Sequence, residues 1–218
     1  MKKLLTLFAI MLVPVFVLAA TEVEPEEGFN CQEEKQAFEQ IASQDNDYFI
    51  AQHVLINMAT PMEKQGFYIF TPSGTKSLKT PDYERAVCYN SFRVKGQPFV
   101  QFVRAQAGSF REKEATQLLD FVGKVEGLSK VAEMHQVAAK GNTSFTMQHI
   151  LINMADPFAQ LPDAEAAPVA RVYAKAYING KKLGQFVREN ANIFPGDVSG
   201  KEAQNLNDFA DRIANLAR

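Results

Sequence analysis

The chain repeats itself. Gln52-His53-Val54-Leu55-Ile56-Asn57-Met58-Ala59 recurs as Gln148-His149-Ile150-Leu151-Ile152-Asn153-Met154-Ala155, identical at seven of eight positions, and Pro61 and Pro157 follow two residues later. Gln101-Phe102-Val103-Arg104 recurs intact at 185–188, and Lys113-Glu114-Ala115 recurs at 201–203. Leu118, Phe121, Val125 and Leu128 then match Leu206, Phe209, Ile213 and Leu216. The offsets are 96, 84 and 88 residues, so the order of the blocks is kept and length changes fall between them, in turn-rich stretches where loops accept them. This is a duplication of a unit too long, and present in too few copies, to be a solenoid repeat. Residues 31–128 form the first unit and 129–218 the second, and the two are expected to pack as one pseudo-symmetric body.

Within each unit a helix is expected first. Ala37, Phe38, Ile41 and Ala42 make one stripe over 31–44, and Val131, Met134 and Ala138 do the same over 129–140, with Gly141 as a stop. The repeated block fits a helix better than a strand. As a helix it places Ala51, Val54, Leu55, Met58, Ala59 and Met62 on one side. The second copy matches with Met147, Ile150, Leu151, Met154, Ala155 and Phe158, leaving Thr146, His149, Asn153 and Asp156 opposite. As a strand it would set Val54, Ile56 and Met58 beside Gln52. In the first copy, Thr60-Pro61-Met62-Glu63 has the form of a capping box with proline at the first helical position.

A β-hairpin is expected next. Asn179-Gly180 between alternating runs is a strong hairpin signal, and Lys95-Gly96 holds the same place in the first unit. Extending the pairing outward over 169–178 and 181–188 gives one face bearing Val172, Ala174, Ala176, Leu183 and Val187. The other face bears Tyr173, Tyr177, Phe186 and Arg188, and its first-unit counterpart bears Tyr89, Arg93, Val100, Phe102 and Arg104. Residues 67–70 could add a strand to the first unit. An amphipathic helix closes each unit, over 112–127 and 200–217. The expected class is therefore α+β: a duplicated helix–helix (or strand)–hairpin–helix unit, an antiparallel sheet with packed helices.

The N-terminus has the layout of a secretory signal: Met1-Lys2-Lys3, an apolar run from Leu4 to Leu18, then Ala19 and Ala20. That run is short for a membrane span of about 20 apolar residues. Residues 1–20 are read as a signal peptide and 21–30 as an acidic, disordered leader. Without Lys2 and Lys3 the chain carries 21 basic and 25 acidic residues, net −4, which argues against a nucleic-acid binder. No second long apolar stretch is present, so no transmembrane segment is expected in the mature chain. The compartment implied, periplasmic or extracellular, is oxidising, and an even pair of cysteines there favours a Cys31–Cys88 disulfide. Two free thiols are the alternative.

His53 and His149 are repeat-equivalent, each with an asparagine four residues on, but no H-x-x-x-H, H-x-H or Cys/His cluster surrounds them. No G-x-S-x-G elbow and no phosphate-binding G-x-x-x-x-G-K-[ST] loop occurs. Asn142-Thr143-Ser144 has the form of a glycosylation sequon. Tyr89, Phe102, Arg104, Tyr173, Tyr177, Phe186 and Arg188 are the candidates for ligand recognition, and Tyr89 with Tyr173, Phe102 with Phe186 and Arg104 with Arg188 persist across the copies; a structural cation–π role suits them equally. The function expected is that of an exported, non-enzymatic protein binding a protein, peptide or envelope ligand, without cofactor or metal. The alternative is a hydrolase or metal-dependent enzyme using His53 and His149.

Overall fold

The computed structural model describes residues 29–60, 62, 81–194 and 200–218. The segment read as a signal peptide, most of that read as an acidic leader, Pro61 and Glu63 of the expected capping box, and the segment 67–70 lie outside the described residues. Within them the chain is mixed α and β: two small antiparallel hairpins among nine helices. In order these are α1 Cys31–Ala42, α2 Asp47–His53 continued by a π-helical turn Val54–Ala59, and α3 Pro81–Asn90. The hairpin β1 Arg93–Val94 and β2 Gln97–Pro98 follows, then α4 Phe99–Ala107 and the long α5 Glu112–Ala138. The second unit continues with α6, which is α-helical over Thr143–Ile150, π-helical over Leu151–Ala155 and α-helical again over Asp156–Ala159. It ends with α7 Asp163–Tyr173, the hairpin β3 Tyr177–Ile178 and β4 Lys181–Lys182, α8 Leu183–Asn190 and α9 Lys201–Leu216.

The element order of one unit is the element order of the other, at the offsets of the sequence blocks. Asn46 and Asn142 cap α2 and α6, their side chains accepting from the backbone N–H of Phe49 (3.2 Å) and Phe145 (3.0 Å). The hairpins turn at Lys95-Gly96 (φ 51° and 82°) and Asn179-Gly180 (φ 49° and 79°). Positive φ at both central residues is the type I′ geometry that matches strand twist, so the sequence signal for the turns holds. The strands it joins are only two residues long, with Arg93 opposite Pro98 and Tyr177 opposite Lys182.

The long hairpins expected over 169–178 and 181–188 are not present. Residues Asp163–Tyr173 and Leu183–Asn190 are helices, and the first unit is built the same way. The buried residues of α7 are Ala166, Val169, Ala170, Val172 and Tyr173, a helical spacing, with Pro168 inside the helix. Short apolar runs satisfy a period of two or of 3.6 about equally, and the turn dipeptide does not fix how far pairing extends. Tyr89, Phe102, Arg104, Tyr173, Phe186 and Arg188 therefore sit on helices, not on one face of a sheet, and Cys88 sits on α3. The antiparallel sheet expected is reduced to two separate two-stranded hairpins.

The helix expected for the repeated block is present in both copies. All twelve residues expected on its inner side are buried. The π turn explains how. Those residues recur every four positions, and in an α-helix a row of every fourth residue winds by about 40° per step. The wider turn takes up that drift and keeps the row facing the core. It is closed by N–H bonds five residues back, Thr60 to the Leu55 carbonyl and Asp156 to the Leu151 carbonyl. Pro157 has no N–H to offer the carbonyl four residues before it, which disfavours plain α-helix at the same place. Thr146, expected on the outer side, is buried, and its hydroxyl donates to the Asn142 carbonyl at 2.9 Å.

The helices expected over 112–127 and 129–140 are one helix. α5 runs without a break from the end of the first unit into the beginning of the second, and Gly141 (φ 74°) stops it. Its second half stands to α7 as α1 stands to α3. Cys31 and Cys88 form a disulfide between α1 and α3, with Cα atoms 5.7 Å apart. The repeat-equivalent positions are Gly127 and Val172, and a Cβ at Gly127 would lie 2.9 Å from Val172 Cβ. The same helix approach is crosslinked in the first unit and made by close glycine contact in the second. Arg104 of α4 adds a charged link between the units, pairing with Glu126 of α5 and with Glu165 of α7 at 3.2 Å.

Candidate functional site

The residues expected to form a recognition face do not converge on one. Tyr89, Phe102, Tyr173 and Phe186 are each 5 % exposed or less. Tyr173 packs against Phe158 and Phe209, and Tyr89 against Phe92, Phe99 and Phe121. Burial pushes the Tyr89 phenol up to about 12 and raises that of Tyr173 well above its ordinary value. Arg104 is taken up by its two carboxylates, Arg188 pairs with Asp211 at 2.7 Å on the surface, and Tyr177 is half-buried in β3.

His53 and His149 have the same local arrangement. Each ring Nδ1 lies 3.2 Å from the amide nitrogen of the asparagine one turn on, Asn57 or Asn153. Burial lowers the affinity of both rings for a proton, against a nearby carboxylate that raises it: Glu34 for His53 and Glu133 for His149. Among the described residues no group of three or more His, Cys, Asp or Glu is placed to hold a metal ion. The histidine–asparagine pairs are bonded within their own helices.

What the two units do share on their surface is the outer side of the same two helices. Six large apolar residues are exposed among those described, and four of them are repeat-equivalent pairs: Phe49 (45 %) with Phe145 (46 %), and Ile56 (57 %) with Ile152 (54 %). They stand seven residues apart on α2 and on α6, with exposed Gln52 and Gln148 between them. Two helical turns bring residues at that spacing back to the same side, so each helix carries an outward Phe–Gln–Ile ridge. Neither helix has an Asp, Glu, Lys or Arg between Tyr48 and Ala59 or between Thr143 and Ala155, in a chain that is 22 % charged.

The buried members of the repeated block need no explanation beyond the core. Gln52/Gln148 and Ile56/Ile152 are exposed in both copies, and packing gives no reason for them. A solvated helix face is ordinarily polar and charged; depletion of charge with aromatic and aliphatic anchors is the composition of an interface centre. The sequence carried this signal in the identity of the block. Ile56 and Ile152 fall outside the stripe that the core accounts for, and periodicity alone assigns them no role. Of the remaining two exposed residues, Tyr48 stacks on Phe110 with ring centroids 4.6 Å apart, and Val87 borders a hollow beside the disulfide. Among the described residues no helix is long and apolar enough to cross a membrane. No protein-family model, curated protein or solved structure matches this chain.

Proposed function

We propose that the protein is exported to the periplasm or the extracellular space and acts there by binding a protein partner through the outer faces of α2 and α6. The observation that carries this reading is the pair of equivalent ridges, Phe49-Gln52-Ile56 and Phe145-Gln148-Ile152, apolar, free of charge and exposed in both copies. Export is supported by the Met1–Ala20 layout and by a disulfide, which persists in oxidising compartments.

The test is affinity capture from the host's envelope or culture fluid with the wild type, Ile152→Asp and a control, Lys113→Asp, at an exposed site near the start of α5. A partner held in stoichiometric amount by the wild type and the control, and lost by Ile152→Asp, is expected. Equal retention by all three proteins would reject the reading. The rival reading, an enzyme built on His53 and His149, makes the opposite demand. It requires the double alanine variant to lose an activity or bound metal with its circular dichroism unchanged, while Ile152→Asp loses neither.

A further inference from the structure

Beside the close approach of α5 and α7 lies a hollow of about 250 Å³. The buried Pro168 and Val172 give it an apolar wall, and Asp120, Lys124, Arg171 and Lys175 complete its lining. Three cations against one carboxylate leave an excess of two positive charges among the described lining residues, in a chain that is net −2. Asp120 accepts from Arg171 Nη2 at 2.5 Å, which fixes the guanidinium beside the hollow while occupying one of its five N–H donors. Cations in the last turn of a helix ordinarily answer its unpaired carbonyls. That need does not account for Arg171 and Lys175. The equivalent helix α3 has no basic residue in its last turn and carries Val87 and Ser91 at those two positions, the Ser91 hydroxyl donating to the Cys88 carbonyl at 2.6 Å. The hollow beside α3 is lined chiefly by apolar groups, Phe29, Tyr83, Val87 and Ala132 among them, and holds no cation. The unit folds without these two charges, and only the second copy has them.

We propose that the hollow between α5 and α7 binds a small phosphate ester, its phosphoryl group among Lys124, Arg171 and Lys175 and its carbon body against Pro168 and Val172. A phosphate monoester carries close to two negative charges near neutral pH, matching the excess in the hollow, whereas a carboxylate carries one. The planar fork of arginine fits phosphate oxygens, and lysine adds point charge. The volume is near the lower end for small-molecule sites, about 300 Å³, so the ligand is of the size of a polyol or sugar phosphate. The phosphate of an anionic lipid headgroup offers the same chemistry at a bilayer surface. The site shares no residue with the ridges of α2 and α6, and it stands whether or not they bind a protein.

The experiment is isothermal titration calorimetry of the mature protein at low salt and near neutral pH with glycerol 3-phosphate, inorganic phosphate and acetate. The wild type is compared with Arg171→Gln, Lys175→Gln and a charge-matched control, Lys35→Gln, at an exposed site on α1, with folding checked by circular dichroism. Saturable one-to-one binding of glycerol 3-phosphate is expected for the wild type and Lys35→Gln, tighter than that of inorganic phosphate, with no binding of acetate. Arg171→Gln and Lys175→Gln should each weaken it about tenfold, and Lys175→Gln carries the expectation alone if Arg171→Gln alters the fold. Vesicles of phosphatidylglycerol, against phosphatidylcholine, separate the two sources. Soluble ester bound together with phosphatidylglycerol retention that Arg171→Gln abolishes extends the site to lipid headgroups; soluble ester bound without retention assigns it to soluble ligands. The proposal is overturned by the absence of saturable binding at millimolar phosphate ester, by acetate binding as tightly, by an equal loss in Lys35→Gln, or by retention on vesicles with no soluble ester bound.

Discussion

A methyl group at Gly123 would lie 2.4 Å from Pro168 Cβ and 3.2 Å from the backbone nitrogen of Val169. With Gly127 one turn on, it lets α5 and α7 approach more closely than side chains allow. Gly123→Ala should force the helices apart and cost about 1–3 kcal/mol, read as a lower urea midpoint. Gly108→Ala is the control, because a Cβ there meets nothing within 4 Å and the backbone (φ −63°) is one any residue adopts. Equal midpoints for the two variants would contradict the close approach. The histidines give a second test. Burial holds His135 below its ordinary value of 6.5, so the unfolded chain takes up a proton near 6.5 that the folded chain still refuses. The contribution is fully present above 6.5 and is lost as pH falls through the folded value, and His53 and His149 act in the same direction. Urea stability should therefore drop between about pH 7.5 and 5.5, with a smaller drop in His135→Gln. A flat profile, or an unchanged slope in that variant, would show that the imidazole is not desolvated as described.

The elements that sequence alone made legible are those with a chemical marker at the right place. The two type I′ turns and the stop at Gly141 are of this kind, as is the inner row of the repeated block, whose apolar positions repeat at one spacing over three turns. The lengths of the hairpin strands were not legible, because Val169–Tyr173 and Phe99–Val103 satisfy either period and tertiary packing decides between them. The disulfide was legible from the cysteine count and the compartment that residues 1–20 lead one to expect, and its role follows from the repeat. Among the described residues α1 is preceded only by Phe29 and Asn30, whereas its counterpart in the second unit is the continuation of α5. Reduction, or Cys31→Ser with Cys88→Ser, should cost about 2–4 kcal/mol and release α1 first, seen as loss of hydrogen-exchange protection over Cys31–Ala42. Unchanged melting on reduction would mean that Phe38, stacked on Phe92 at 5.1 Å and edge-on to Phe99, anchors α1 unaided.

At the scale of the whole molecule, a boundary at 128/129 was the natural reading of the repeat, and Ser129 has the chemistry of an N-cap. In the fold that hydroxyl is buried and accepts from Asn90 Nδ2 of α3 at 3.1 Å, and the helix runs through. No local signal distinguishes a capping serine from one bonded across the core. Because α5 belongs to both units and Arg104 joins α4, α5 and α7, the two copies should unfold together, with far- and near-ultraviolet dichroism coinciding in one transition. Arg104→Met should cost about 3 kcal/mol by leaving Glu126 and Glu165 facing each other; two separated wild-type transitions would contradict a shared body. The outward ridges belong to this scale as well, since their meaning lies in what the molecule meets. A photo-crosslinking residue at position 152, with position 113 near the start of α5 as control, tests them most directly in the living host. The account predicts a discrete adduct with one partner protein from position 152 and none from position 113; no adduct at 152, or the same adducts from both positions, would contradict it.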